Sequence, residues 1–395
     1  MSQNTDGARV LNSAPTFDPA AGTVVREPTG DGPGYWCGAP GAYFDQESGD
    51  FYLYYRVRVE KAKGRGIEFR IARGRDGVEF EDVWTCLKDD IGAVSIEGGS
   101  IFRLPDGEWA VAYGFVDERD DRWKMGLLRG PDPAHFDTAT HEIVLDPDTE
   151  AIAGVKDPVI ARVDGEYRMV MSYHLVSARE RSDPALLEIA DTIATGMGTS
   201  NTGLATSRDG RKWTWVGDVL APTPGRWDAF CARVTGFFPG PVGFVAFYDG
   251  SVDVSENYEE RGSLAWSPDL TVFHALETAG PLFVSEFGGG SVRYVEPLLI
   301  GDTLFVYYEY TRADGGHQLR VVRLPVLTDG KWDQEARLGR ALANGSRGRV
   351  ADRRIGPTPE SAPSRRRRCT GRATSAGRTT YRRRNFHQRG SGDRC

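Results

Sequence analysis

Four acidic side chains, Glu97, Asp157, Asp228 and Glu296, each lead an apolar strand-like run in a chain of 395 residues. With Ala39 at the corresponding place in the first run, the leading positions lie 58, 60, 71 and 68 residues apart. Carboxylates gathered in one cleft drive their pKa values apart, so that one stays protonated as an acid while another stays ionised as a base. Hydrolysis of a glycosidic bond needs that pairing, and inverting enzymes hold the two groups roughly 6.5–9.5 Å apart to admit a water. Trp36, Tyr55, Arg56, Trp227, Arg233 and Tyr310 lie close to the leading positions. They offer flat faces for a sugar ring and fixed donors for its hydroxyls. His174, beside Tyr173, ends a second strand further from the entrance and completes the candidate set.

The elements that must position these groups recur. "GAPGAYFDQESGDFYLYYRVR" (38–58), "EGGSIFRLPDGEWAVAYGF" (97–115), "VKDPVIARVDGEYRMVMSYH" (155–174), "WDAFCARVTGFFPGPVGFVAFYDG" (227–250) and "VEPLLIGDTLFVYYEYT" (295–311) share one plan. An apolar strand is followed by an Asp-Gly or Gly-rich turn and then an aromatic strand, which is the strongest short-range hairpin signal. Further strands and turns follow in "IARGRDGVEF", "LATSRDGRKWTWV" and "LAWSPDLTVF", so each unit reads as four antiparallel strands. One such sheet cannot bury both faces until neighbours stack on it radially. The expectation is an all-β, five-bladed β-propeller over residues 35–340, preceded by an N-terminal segment, 1–34. A β-sandwich is the competing architecture. Residues 183–196 carry the one helical patch and read as a surface excursion inserted in the third unit. In a propeller the innermost strands line a central channel, and the leading residues converge at one mouth.

Composition narrows the function classes. Residues 341–395 hold 15 Arg, no Lys and 3 acidic residues, a net charge of +12; residues 1–340 keep 34 basic against 53 acidic side chains, a net of −19. An acidic body disfavours nucleic acid as the partner of the folded part. The Arg-rich tail has no apolar periodicity with which to bury a core, so disorder is expected there. It reads either as a basic arm or as a non-native extension resembling out-of-frame translation. Five cysteines without metal-type spacing argue against a disulfide framework. No basic start precedes an apolar run and no stretch of 18 apolar residues occurs, so a cytoplasmic protein with no membrane partner is expected. The oligomeric state is not readable.

"KDPVIARVDGEYRMVMSY" resembles the Asp-Pro strand signature of five-bladed propeller glycosidases related to glycoside hydrolase family 43, with families 32/68 and 130 as neighbours; the pattern covers about residues 35–327. The resemblance implies three carboxylates: an Asp base in the first blade, an Asp that tunes pKa in the third and a Glu acid opening the fourth. Asp157 matches the third. The first-blade Asp-Pro reads Ala39-Pro40, so the usual base is missing, and Glu97 could replace it, ahead of Asp45 or Asp249. The acid is either Asp228, nearest to the fourth-blade position, or Glu296, whose Glu-x-Pro context is closer but which counts to the fifth. A carbohydrate substrate and glycoside hydrolysis are therefore expected. The alternatives are a glycoside phosphorylase, with Arg56, Arg233 and Arg293 receiving phosphate, and a carbohydrate-binding propeller without catalysis. No cofactor is expected, although an oxygen-rich channel could hold Ca²⁺. Gly-rich "EFGGGSVRY" neither follows a strand nor opens a helix, so it is not read as nucleotide-binding.

Overall fold

The computed structural model describes residues 15–146, 152–187, 189, 191–240, 242–276 and 278–325. The tail 341–395, and its expected disorder, lie outside the described residues. Strands dominate and fall into successive antiparallel groups. The first group is β2 (Trp36–Asp45), β3 (Asp50–Arg58), β4 (Gly66–Gly74) and β5 (Phe80–Leu87); β1 is described below with the last group. The second is β6 (Ala93–Arg103), β7 (Trp109–Asp117), β8 (Arg122–Gly130) and β9 (Asp137–Leu145). The third is β10 (Ile152–Val163), β11 (Glu166–Leu175), β12 (Thr199–Ser207) and β13 (Thr214–Leu220). The fourth is β14 (Cys231–Pro239), β15 (Phe244–Ser251), β16 (Arg261–Ser267) and β17 (His274–Ala275). The last comprises β18 (Val292–Ile300), β19 (Thr303–Thr311) and β20 (His317–Pro325).

The fourth strand of the last group comes from the other end of the chain. β1 (Thr23–Arg26) pairs antiparallel with β20, with Thr23 opposite Val321. Residues 23–26 were expected to lie in a separate N-terminal segment. They instead complete a sheet, because the outer edge of β20 would otherwise expose unpaired backbone groups. The third strand of one group meets the first strand of the next through single parallel bridges at Trp123–Gly154, Ser200–Cys231 and Arg261–Val292. The bridge His317–Trp36 joins the last group to the first and closes the circle. Between the first and second groups, the Gly66 N–H donates to Ser95 Oγ at 3.2 Å.

Apolar clusters fill the spaces between neighbouring groups. Tyr54, Phe69, Ile96, Val111 and Tyr113 pack between the first and second, while Val25, Leu53, Tyr55, Tyr307 and Leu319 pack between the last and the first. The three cysteines among the described residues, Cys37, Cys86 and Cys231, are free and buried. The innermost strands approach so closely that glycine is required where they touch. A Cβ on Gly41 would fall 2.1 Å from the Gly99 carbonyl oxygen, and one on Gly236 would fall 2.3 Å from Pro297 Cδ. The helical patch proves shorter than expected: one α turn at Pro184–Leu187 and a 3-10 turn at Thr192–Thr195. It is also less superficial, since Leu186 and Ile193 are buried.

Candidate active site

Every innermost strand breaks its pairing register at a corresponding place, and β6 and β10 carry a second break near their starts. The corresponding breaks fall between Gly38 and Gly41, Ile96 and Gly99, Lys156 and Val159, Val234 and Gly236, and Arg293 and Glu296. A bulge of this kind re-aims the side chains within it. The bulged residues are Ala39-Pro40, Glu97-Gly98, Asp157-Pro158, Thr235 and Tyr294-Val295. Ala39, Asp157 and Tyr294 share the left-handed backbone conformation, with φ of 50°, 55° and 52°. Asp tolerates that conformation better than Ala or Tyr, so its repetition with these residue types marks an architectural constraint.

The bulges give the true equivalence between groups and correct two of the expected positions. In the fourth group the equivalent residue is Thr235, not Asp228, which precedes β14 by three residues. Asp228 is buried beside the channel-forming strand, where its Oδ2 accepts from the Tyr248 hydroxyl at 3.0 Å. In the last group the equivalent residue is Tyr294, two positions before Glu296. The 78-residue spacing from Asp157 to Thr235 exceeds the spacings of 58, 60 and 59 elsewhere. The segment between β11 and β12 accounts for the surplus.

A narrow cavity opens at the bulges. It is lined by Ala39, Gly98, Asp157, Thr235, Tyr294 and Glu296, among others. Asp157 Oδ1 accepts from the Gly98 N–H at 3.0 Å, and its Oδ2 accepts from Arg233 at 3.2 Å. Glu296 has no cation within ion-pair distance among the described residues. Burial pushes its carboxyl well above the ordinary 4.5, against one backbone hydrogen bond from Ala42, and so favours its acid form.

Around this cavity lies a buried network of opposite charges. Arg56, on β3, donates to Glu97 at 2.5 Å and to Glu309 at 3.2 Å. Arg293 reaches Glu309 at 2.7 Å and Glu260 at 2.8 Å. Arg233 bridges Asp157 to Asp249, the latter at 2.7 Å. Arg65 faces Asp191 at 3.1 Å and Glu97 at 3.6 Å. The Tyr294 ring lies beneath three guanidiniums, Arg233, Arg293 and Arg56, at 4.3, 5.1 and 5.4 Å from its centroid.

These contacts sort the carboxylates by protonation. Burial alone would raise Glu97, but Arg56, with Arg65, Lys156 and Arg58, outweighs it and brings the group down to about 2. Glu260 is likewise taken to about 2 by Arg233 and Arg293 against its burial. Asp249 goes the other way: burial prevails over Arg233 and raises it to about 6. Glu97 therefore stays ionised and ion-paired through the neutral range, a poor match for a base that must gain a proton in each cycle.

The remaining candidates divide. Trp36 is buried at the start of β2, stacked on His317 at 4.6 Å, with Arg58 and Arg293 over its ring at 4.2 and 4.7 Å. Tyr55 points outward instead, its hydroxyl donating to Asp82 at 2.8 Å. His174 is a satisfied core histidine, bonded to Thr192 Oγ1 at 2.7 Å and to the Met197 carbonyl at 2.8 Å, and burial lowers its pKa. Tyr310 packs in the core with Arg320 over its ring at 4.1 Å. Trp227 packs at a tilt against Tyr248, with ring centroids 5.6 Å apart, beside Asp228. Sequence reasoning missed Arg58, Glu260, Thr235, Tyr294 and Glu309. A usable signal was present: an ionisable residue inside an aromatic second strand, as in Arg56, Asp249 and Glu309, aims at the axis. Among the described residues no group of three or more His, Cys, Asp or Glu side chains converges as a metal-ligand set.

No protein-family model and no curated protein matches the chain. Solved structures do. A thermostable family-43 glycoside hydrolase superposes with a TM-score of 0.54 at 14% identity, covering 79% of this chain and 96% of its own. An α-L-arabinofuranosidase from Lactobacillus brevis gives 0.51 at 16%, covering 79% and 96%. The β-1,2-mannobiose phosphorylase from Listeria innocua gives 0.50 at 16%, covering 80% and 94%. The chain thus has the propeller glycosidase-like fold that these proteins share.

Proposed function

We propose that this chain is a five-bladed propeller enzyme that cleaves a glycosidic bond of a small glycoside in its axial channel, in the cytoplasm. Its blades are the groups described above, with β1 completing the last. Glu296 is the proton donor and Asp157 the positioning carboxylate across the cavity. The observation that supports this reading is the pairing itself: one lining carboxyl is kept in its acid form by burial, while the other is fixed by a guanidinium and a backbone N–H. Protonation of the leaving oxygen needs the first; orientation of the sugar at the reacting carbon needs the second.

A second reading, phosphorolysis, is favoured by one specific feature. Ala39 occupies the bulge where the family-43 pattern carries its base, and Glu97, the expected substitute, is tied to Arg56 and Arg65. A phosphate nucleophile needs no carboxylate base. The names of the similar structures include both hydrolases and a phosphorylase. Turnover on a panel of aryl glycosides, with and without phosphate, separates the two. Loss of turnover by at least about a hundredfold in Glu296→Gln is expected from removal of a general acid. Full activity in both Glu296→Gln and Asp157→Asn overturns the assignment. Absence of turnover on every glycoside while sugars still bind would leave the non-catalytic propeller.

A further inference from the structure

Arg58, at the end of β3, is an orphan within the charge network. Its side chain is 4% exposed, yet no carboxylate lies within 4.0 Å of it among the described residues and no hydrogen bond reaches it. Its neighbours are already committed: Arg56 to Glu97 and Glu309, Arg65 to Asp191 and Glu97, Arg293 to Glu260 and Glu309. Burial, reinforced by Arg65, lowers the Arg58 pKa to about 10. The guanidinium stands in the corner of two tilted aromatic rings, 4.2 Å from Trp36 and 4.7 Å from Tyr258, and Tyr258 is itself partly exposed. The indole Nε1 of Trp36 is also buried with no acceptor. Two orphan donors therefore stand on one aromatic wall.

A cation held only by ring faces gains less than burying a guanidinium costs, so packing alone does not account for the residue. A planar fork with one surplus positive charge matches a carboxylate, which carries one negative charge and two parallel acceptors; a phosphate dianion would overshoot it. Resting on the glycoside-cleaving reading above, we infer that the substrate is an acidic sugar whose carboxylate is seated on Arg58.

Binding of glucuronate, glucose and inorganic phosphate to the full chain, by calorimetric titration, tests this without requiring turnover. Glucuronate is expected to bind about tenfold or more tightly than glucose, the ratio a charge-assisted bidentate pair supplies. Arg58→Gln should abolish that ratio, and Arg58→Lys, which keeps the charge but not the fork, should restore only part of it. Equal binding of glucuronate and glucose by the parent overturns the inference, even if Arg58→Gln does not fold. So does a preference that survives Arg58→Gln or Arg58→Lys undiminished, or inorganic phosphate binding at Arg58 as tightly as glucuronate. Glucuronate preference without turnover on any glycoside would sink the enzyme reading alone. Turnover on neutral glycosides without that preference would sink this inference alone.

Discussion

Glu97→Gln tests the charge network most directly. In the folded protein Glu97 is 1% exposed, between Arg56 at 2.5 Å and Arg65 at 3.6 Å, and its pKa falls from 4.5 to about 2. A difference of that size corresponds to about 3 kcal/mol of stability at neutral pH. Because the folded value is depressed, the contribution is complete above 4.5 and is lost as the pH falls through about 2. The neutral amide also leaves Arg56 leaning on Glu309 alone, so a total loss of about 3–5 kcal/mol is expected at pH 7. Chemical denaturation of parent and variant measures it, and thermal melting should show a drop of roughly 6–20 °C at ~2–4 °C per kcal/mol. At pH 3 the ionic part of the gap should shrink to about 1 kcal/mol. A variant as stable as the parent at pH 7, or a gap that acid leaves unchanged, refutes the reasoning that Glu97 is a fixed anion of the network.

Three further outcomes are expected. Glu296 has a raised pKa, so stability falls as the pH rises above 4.5 towards its folded value; Glu296→Gln removes that decline, and its stability relative to the parent should increase with pH in urea titrations. Asp228→Asn should lower stability by about 1 kcal/mol by weakening the bond from Tyr248 while leaving kcat within a few-fold, and a loss of turnover comparable to Glu296→Gln would place Asp228 back in the site. Ala39→Asp, at a φ of 50° that the equivalent Asp157 already adopts, should fold and increase hydrolysis of aryl glycosides in the absence of phosphate; unchanged hydrolysis in a folded variant would show that the first-blade base is not what the channel lacks.

The repeat was legible because its cause is local. Asp-Gly turns and alternating apolar residues fix hairpins wherever they occur, and five hairpins of similar length leave radial stacking as the way to bury both faces of each sheet. Asp157 was legible for the same reason, since Asp-Pro within a strand marks a bulge that only a residue tolerant of positive φ occupies easily. What failed was counting. The segment between β11 and β12 lengthens one interval without altering any local pattern, so Asp228 took the place that the bulge gives to Thr235. The charge network was hidden for a different reason. Whether Arg56 meets Glu97 or solvent depends on how far the first and second groups rotate toward the axis, and Glu309 comes within reach of Arg56 only because the last group closes on the first, 253 residues away in the chain. A carboxylate's protonation state follows from those distant partners rather than from its neighbours in sequence. Glu97 and Glu296 look equivalent as leaders of apolar strands, yet one is surrounded by guanidiniums and the other by Gly236, Pro297 and the cavity wall. Their opposite pKa shifts are products of closing the ring.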